Sequence, residues 1–133
     1  MDDLRDSLVQ VSFTVIALLS RVAAERDLSL TQLRMLGILR DREPTMAELA
    51  TYLGLERSTV SGLIDRAVQR RLVQKSTDPA DGRSVRVSLT AQARRLESRI
   101  IAEIGELMAP LTDRLSTGEQ KRLTELLAKV LAR

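Results

Sequence analysis

The chain has no cysteine and no histidine, and Phe13 and Tyr52 are its whole aromatic set in 133 residues. Without cysteine there is no disulfide, no thiolate metal site and no thiol redox sensor. Without histidine the commonest general base and the commonest metal ligand are both missing. Serine–histidine and cysteine–histidine catalysis are excluded. No pair of carboxylates sits in an apolar setting that would mark acid–base work. No enzyme, no metal and no cofactor are therefore expected. So few aromatics also argue against a base-stacking platform or an aromatic-lined groove for single strands.

What remains is an ordinary globular composition, 44% hydrophobic and 29% charged, at a length that suits one domain with its own core. The apolar run VSFTVIALLS follows an acidic MDDLRD start rather than a basic leader, and alone it is too short to span a bilayer. A cytoplasmic protein without membrane contact is expected.

The formal net charge is only +3, but it is unevenly placed. From Leu53 to Thr90 seven basic residues (Arg57, Arg66, Arg70, Arg71, Lys75, Arg83, Arg86) face four acidic ones (Glu56, Asp65, Asp78, Asp81). The rest of the chain is balanced. A local basic excess points to a polyanionic partner; the plainer reading is a solvated face.

Helical spacing dominates the pattern. Leu4, Leu8, Val11, Val15, Leu18 and Val22 form one stripe that resembles a coiled-coil seam. Leu33, Leu36 and Leu39 or Arg40 mark a second helix, stopped before Pro44. Thr45 and Glu48 form a T-x-x-E capping box for a short third helix, with Met46, Leu49, Ala50 and Leu53 inward and Gly54 as a left-handed terminator. In LERSTVSGLIDRAVQRRLV, Val60, Leu63, Ile64, Ala67 and Val68 make a buried stripe. Its other face carries Arg57, Ser58, Thr59, Ser61, Gly62, Asp65, Arg66, Gln69 and Arg70: small near the start and basic further on. Small residues allow close approach, and hydroxyls and guanidiniums donate to phosphates and base edges. Two helices joined by a tight GLE turn read as a helix-turn-helix. Two packed helices of a plain bundle would give much the same pattern.

The segment DPADGRSVRVSLT breaks the helical rhythm. LVQKS and SVRVSL read as two short strands, the second with Val85, Val87 and Leu89 on one face and Arg86 and Ser88 on the other. TDPADGR joins them with turn residues, and Thr90 caps the next helix. A helix-turn-helix followed by a basic hairpin is a winged helix, and its tip would set Arg83 in a minor groove. The predicted fold is mainly α with a two- to three-stranded β wing.

At these segments the chain resembles the MarR-type winged-helix transcription regulators, over essentially its whole length. LSLTQLRML, TMAELATYLGL, RSTVSGLIDRAVQRRLV and the wing match the family in order and spacing. The resemblance implies a single unit over 1–133, with a DNA-binding lobe at about 30–90 and a helical dimerisation region at about 1–27 and 91–133. It places recognition-helix positions on Arg57, Ser58, Thr59, Ser61, Gly62 and Arg66, the wing arginine on Arg83, and its salt-bridging partner on Asp81; Arg86 is added as a further DNA contact. Three residues depart from the pattern. Gly62 replaces a larger polar side chain, Arg71 stands where a glycine commonly ends the helix, and Glu56 stands where a small N-cap is usual. The helix start is thus open between Glu56 and Ser58.

Leu96, Ile100, Ile104, Leu107 or Met108, and Leu111 line a long helix from about Ala91, which Pro110 kinks or ends. A last helix opens with a Ser116-x-x-Glu119 or Thr117-x-x-Gln120 cap and carries Leu123, Leu126, Leu127, Val130 and Leu131. The resemblance makes these helices and the first a homodimer seam; the alternative is that they close a monomeric bundle. It further implies a repressor of a pseudo-palindromic operator in double-stranded DNA, half-sites roughly 10 base pairs apart, relieved by a small, frequently aromatic, acid. The thiol switch and zinc sites of some members lack their residues here. Phe13, Met35 and Arg21 are candidates to line an effector pocket, with Phe13 read more simply as core or interface. The rival reading is a winged-helix module for protein contact without specific DNA binding.

Overall fold

A computed structural model describes residues 3–132; Met1, Asp2 and Arg133, the outermost residues of the expected unit, lie outside the described residues. The order is α1 (Asp3–Ala24), α2 (Leu30–Leu39), α3 (Met46–Leu53), α4 (Arg57–Gln69), β1 (Val73–Thr77), β2 (Val85–Leu89), α5 (Ala91–Thr112) and α6 (Thr117–Leu131).

The helix starts follow local chemistry. Thr45 accepts from the Glu48 N–H while the Glu48 carboxylate accepts from the Thr45 N–H, so two orphan donors of α3 are satisfied. Ser29 with Gln32 and Ser116 with Glu119 do the same for α2 and α6. Of the two caps the sequence left open for α6, Ser116 is the one used. Gly54 ends α3 at φ +66°, which a side chain enters only with strain. α4 starts after Glu56, whose side chain makes no cap bond, so Ser58 does not cap it. Arg71 takes the left-handed conformation that glycine usually supplies, at φ +60°.

The core lies under the lobe. Met35, Leu36, Leu39, Leu49, Val60, Ile64 and Val87 are wholly buried, joined by Val22 from α1 and Ile100 from α5. β1 and β2 pair antiparallel from Val73–Leu89 to Thr77–Val85. The segment before α3 adds a bridge from Thr45 to Arg86, and the Val87 N–H donates to the Pro44 carbonyl, so the wing has the beginning of a third strand. Val87 and Leu89 face inward as expected; Val85 is half-exposed near the tip, and Ser88 is buried on the opposite face.

α1 is about 33 Å long and, by length and composition, is able to cross a membrane. The run VSFTVIALLS lies inside this longer helix. Only Val22 and Ala23 of α1 are buried, and α6 buries none of its residues. Pro110 lies inside α5 without ending it there.

Candidate nucleic-acid interface

α3 and α4 meet through Leu55 and Glu56, and the Leu55 N–H returns to the Ala50 carbonyl to hold the turn tight. α4 buries Val60, Leu63, Ile64 and Ala67. That fixes its rotation and leaves Arg57, Ser58, Thr59, Ser61 and Arg66 exposed. The sequence-predicted recognition residues therefore share the solvent side of one helix. Gly62 is half-buried among them, and a Cβ there would meet Arg66 Nη1 at 3.5 Å. Arg66 folds back over the bare backbone that Gly62 leaves.

The wing divides its two arginines. Arg83 is exposed at the tip. Asp81 was expected to hold its guanidinium, but the carboxylate is occupied otherwise: one oxygen accepts from the Arg83 backbone N–H at 3.0 Å and the other from the Ser84 hydroxyl at 3.3 Å. Asp81 thus shapes the turn rather than pairing with the side chain, as an aspartate two residues before a turn amide does. Arg86, also expected as a DNA contact, is partly exposed and its guanidinium is engaged within the protein. Its Nη1 donates to the Glu43 carbonyl at 2.7 Å, and the guanidinium lies 3.3 Å from Asp78 and 3.8 Å from Glu48. It clamps the wing to the N-terminus of α3. Hydrogen bonds from the Ala80 N–H and from Arg86 hold the Asp78 carboxyl below its ordinary pKa; bonds from Thr45, with the Arg86 charge, do so for Glu48.

Other cations of the basic segment are also spoken for. Lys75 pairs with Asp65 at 3.1 Å. Arg70 donates to the Asp27 and Arg26 carbonyls and ties the end of α4 to the α1–α2 turn. Among the described residues, the side chains of Arg57, Arg66, Arg71 and Arg83 have no polar partner in the protein. Three of these were predicted as DNA contacts. A surface that keeps unpaired guanidiniums beside small hydroxyl residues is chemically suited to phosphates and base edges.

A cavity of about 320 Å³ opens between α1, α2 and α5. None of Phe13, Met35 and Arg21 lines it. Phe13 is exposed, Met35 is wholly buried, and Arg21 lies by Glu25 one turn on. The residues sequence reasoning missed are Gly37 and Glu97, which do line it. An isolated helix-interior glycine was the available signal.

A model of the MarR family matches residues 26–84. The chain is 31% identical over 116 residues to the HTH-type transcriptional repressor NicR of Pseudomonas putida, which spans 86% of this chain and 73% of that protein. The apo crystal structure of wild-type MarR from E. coli superposes with a TM-score of 0.81 at 26% identity over 98% of each chain. A mutant of the same regulator complexed with operator DNA superposes with a TM-score of 0.75 at 26% identity, over 96% of this chain and 93% of that one. NadR in complex with 4-hydroxyphenylacetate shares the fold at 21% identity, with a TM-score of 0.83 over 98% and 93%. A lobe with an exposed small-and-basic second helix and an arginine-tipped wing, closed by long helices from both chain ends, is thus matched in sequence as well as in shape, and the chain belongs to the MarR family of winged-helix transcriptional regulators.

Proposed function

We propose that this regulator is a cytoplasmic homodimeric repressor that binds a pseudo-palindromic operator in double-stranded DNA and is released by a small molecule. The observation that carries the DNA reading is the sorting of cations: Arg57 and Arg66 on α4, Arg71 just after it and Arg83 at the wing tip stay unpaired among the described residues, whereas Arg70, Lys75 and Arg86 are engaged internally. In the proposed complex Ser58, Thr59 and Ser61 on α4 meet base edges, with Gly62 allowing close approach, and Arg83 enters a minor groove. The operator-bound relative supports this assignment by shape.

Dimerisation is supported by what the single chain leaves uncovered. Leu123, Leu126, Leu127, Val130 and Leu131 of α6 are 39–74% exposed, and Leu4, Leu8 and Val11 of α1 are 39–70% exposed. Apolar stripes of this extent on a soluble regulator need a partner surface. A two-fold axis through them presents two copies of α4, which is why the operator is a pseudo-palindrome with half-sites about 10 base pairs apart. Release by a small molecule draws on the cavity between lobe and long helices, and on NadR, which takes 4-hydroxyphenylacetate.

The test is binding to the DNA upstream of its own gene against scrambled DNA, across a salt series. The reading expects selective binding that weakens steeply with salt. Equal, weak binding to all candidate operators would favour protein contact as the wing's role.

A further inference from the structure

The cavity between α1, α2 and α5 is apolar apart from two charged residues, Glu97 and Arg34. Leu33 and Leu36 form its floor from α2, Ile100 and Ile104 its wall from α5, and Ile16 and Leu19 its side from α1. Gly37 makes the space: a Cβ built there meets nothing within 4 Å. Glu97 also lines the cavity, with only 6% of its side chain exposed. Its carboxylate accepts no hydrogen bond among the described residues. Its one ionic neighbour is Arg40 Nη1 at 3.8 Å, beyond hydrogen-bonding distance. Arg34 lines the cavity too, but its guanidinium is drawn off to the Tyr52 and Leu53 carbonyls at 2.9 and 3.4 Å, at the C-terminus of α3. The lining cation is thus committed elsewhere, while Glu97 is held only by a long ion pair to Arg40, which does not line the cavity.

We propose that this cavity binds a small amphipathic cation, its apolar body against Leu36 and Ile100 and an ammonium or amidinium end donating to the Glu97 carboxylate. A largely buried carboxylate whose one ionic contact is long gains a close, charge-assisted hydrogen bond from such an end. A carboxylate ligand would instead place like charges together in an apolar space, where the one lining guanidinium, Arg34, is already engaged. Glu97 is the specificity-determining residue, and Gly37 sets the depth. The cavity touches both the lobe helix α2 and the long helices α1 and α5, so occupancy bears on how the two parts sit. That occupancy regulates DNA binding rests on the proposed function; the binding itself does not.

The test is calorimetric titration of the full-length protein with naphthylmethylammonium, the neutral naphthylmethanol and the anionic naphthylacetate. The cation should bind at least about tenfold tighter than the alcohol, the scale of one charge-assisted hydrogen bond, and the anion weakest. Glu97→Gln should bring the cation down to the level of the alcohol. Arg40→Ala, which removes the competing charge without touching the cavity wall, should sharpen the preference and serves if the Gln variant does not fold. Gly37→Leu should abolish binding of all three. Tightest binding of the anion, a cation preference that survives Glu97→Gln, or no binding of any probe overturns the proposal. DNA binding is measured on the same preparations. Its absence alongside an intact cation preference would count against the repressor reading alone.

Discussion

The Arg86 guanidinium lies 3.3 Å from the Asp78 carboxylate, and together they fasten the base of the wing to the start of α3. A basic wing residue is therefore engaged within the protein itself. Asp78→Asn should weaken operator binding by loosening the wing, as Arg86→Gln does, and both should leave the salt slope unchanged. Arg83→Ala should weaken binding across all sequences and reduce the slope by about 1. Titrations of the three variants over a salt series separate the roles; a lower slope for Arg86→Gln would return it to the interface.

The same clamp has a defined pH response. Asp78 and Glu48 have carboxyl pKa values below their ordinary ones, Asp78 chiefly through the Ala80 N–H and Glu48 chiefly through Thr45. A depressed native pKa contributes stability that is complete above the unfolded value and lost as pH falls through the native one. The wing should hold unchanged from pH 8 to about 5 and loosen only below the ordinary carboxylate range. Glu97 runs the other way, since burial raises it against the opposing Arg40 charge. Its contribution falls as pH rises from the ordinary glutamate value through the raised one, and Glu97→Gln should remove that dependence. Hydrogen exchange at the wing and thermal melts against pH measure the two.

Specificity should reside in α4. Ala at Ser58, Thr59 or Ser61 should change the ranking of operator variants, by about 1–3 kcal/mol per position read, with little change in salt slope. Gly62→Ala fits, since its Cβ would be in ordinary contact with Arg66 Nη1 at 3.5 Å, and should stabilise the helix by about 1 kcal/mol. Gly62→Gln should displace the Arg66 guanidinium and alter base preference. Identical operator profiles for all four would show that α4 does not read sequence.

Arg71 and Gly54 hold the same left-handed conformation with opposite chemistry, at φ +60° and +66°. Arg71→Gly should raise stability by up to about 1 kcal/mol, and Gly54→Ala should lower it by about 1–2 kcal/mol. Denaturant unfolding decides this, and a destabilised Arg71→Gly would mean that the arginine side chain contributes packing.

Leu127→Asp should yield a folded monomer with unchanged helical content, because no residue of α6 is buried within the chain. Its operator affinity should collapse, because one α4 reaches one half-site. Light scattering with circular dichroism is the measurement, and a dimer that persists would place the subunit contact elsewhere.

The sequence by itself determined the elements and most of their ends, while the start of α4, the choice of cap for α6 and the passage of α5 through Pro110 needed the structure. Capping boxes at Thr45 and Ser116, Gly54, the DPADG turn and the Thr90 cap act over three or four residues, so their outcome is readable locally. The rotation of α4 followed as well, since Val60, Leu63, Ile64 and Ala67 can bury only one face. Tertiary structure alone decided which arginines are paired within the protein and which are left unpaired. Arg86 meets a carbonyl 43 residues away and Arg70 one 43 residues away, and nothing local distinguishes them from Arg83 or Arg66. The same holds for Glu97. Its place on α5 was legible from the apolar stripe, but its burial beside the space above Gly37 depends on how α5 crosses α2, a packing of distant segments that short-range pattern does not encode.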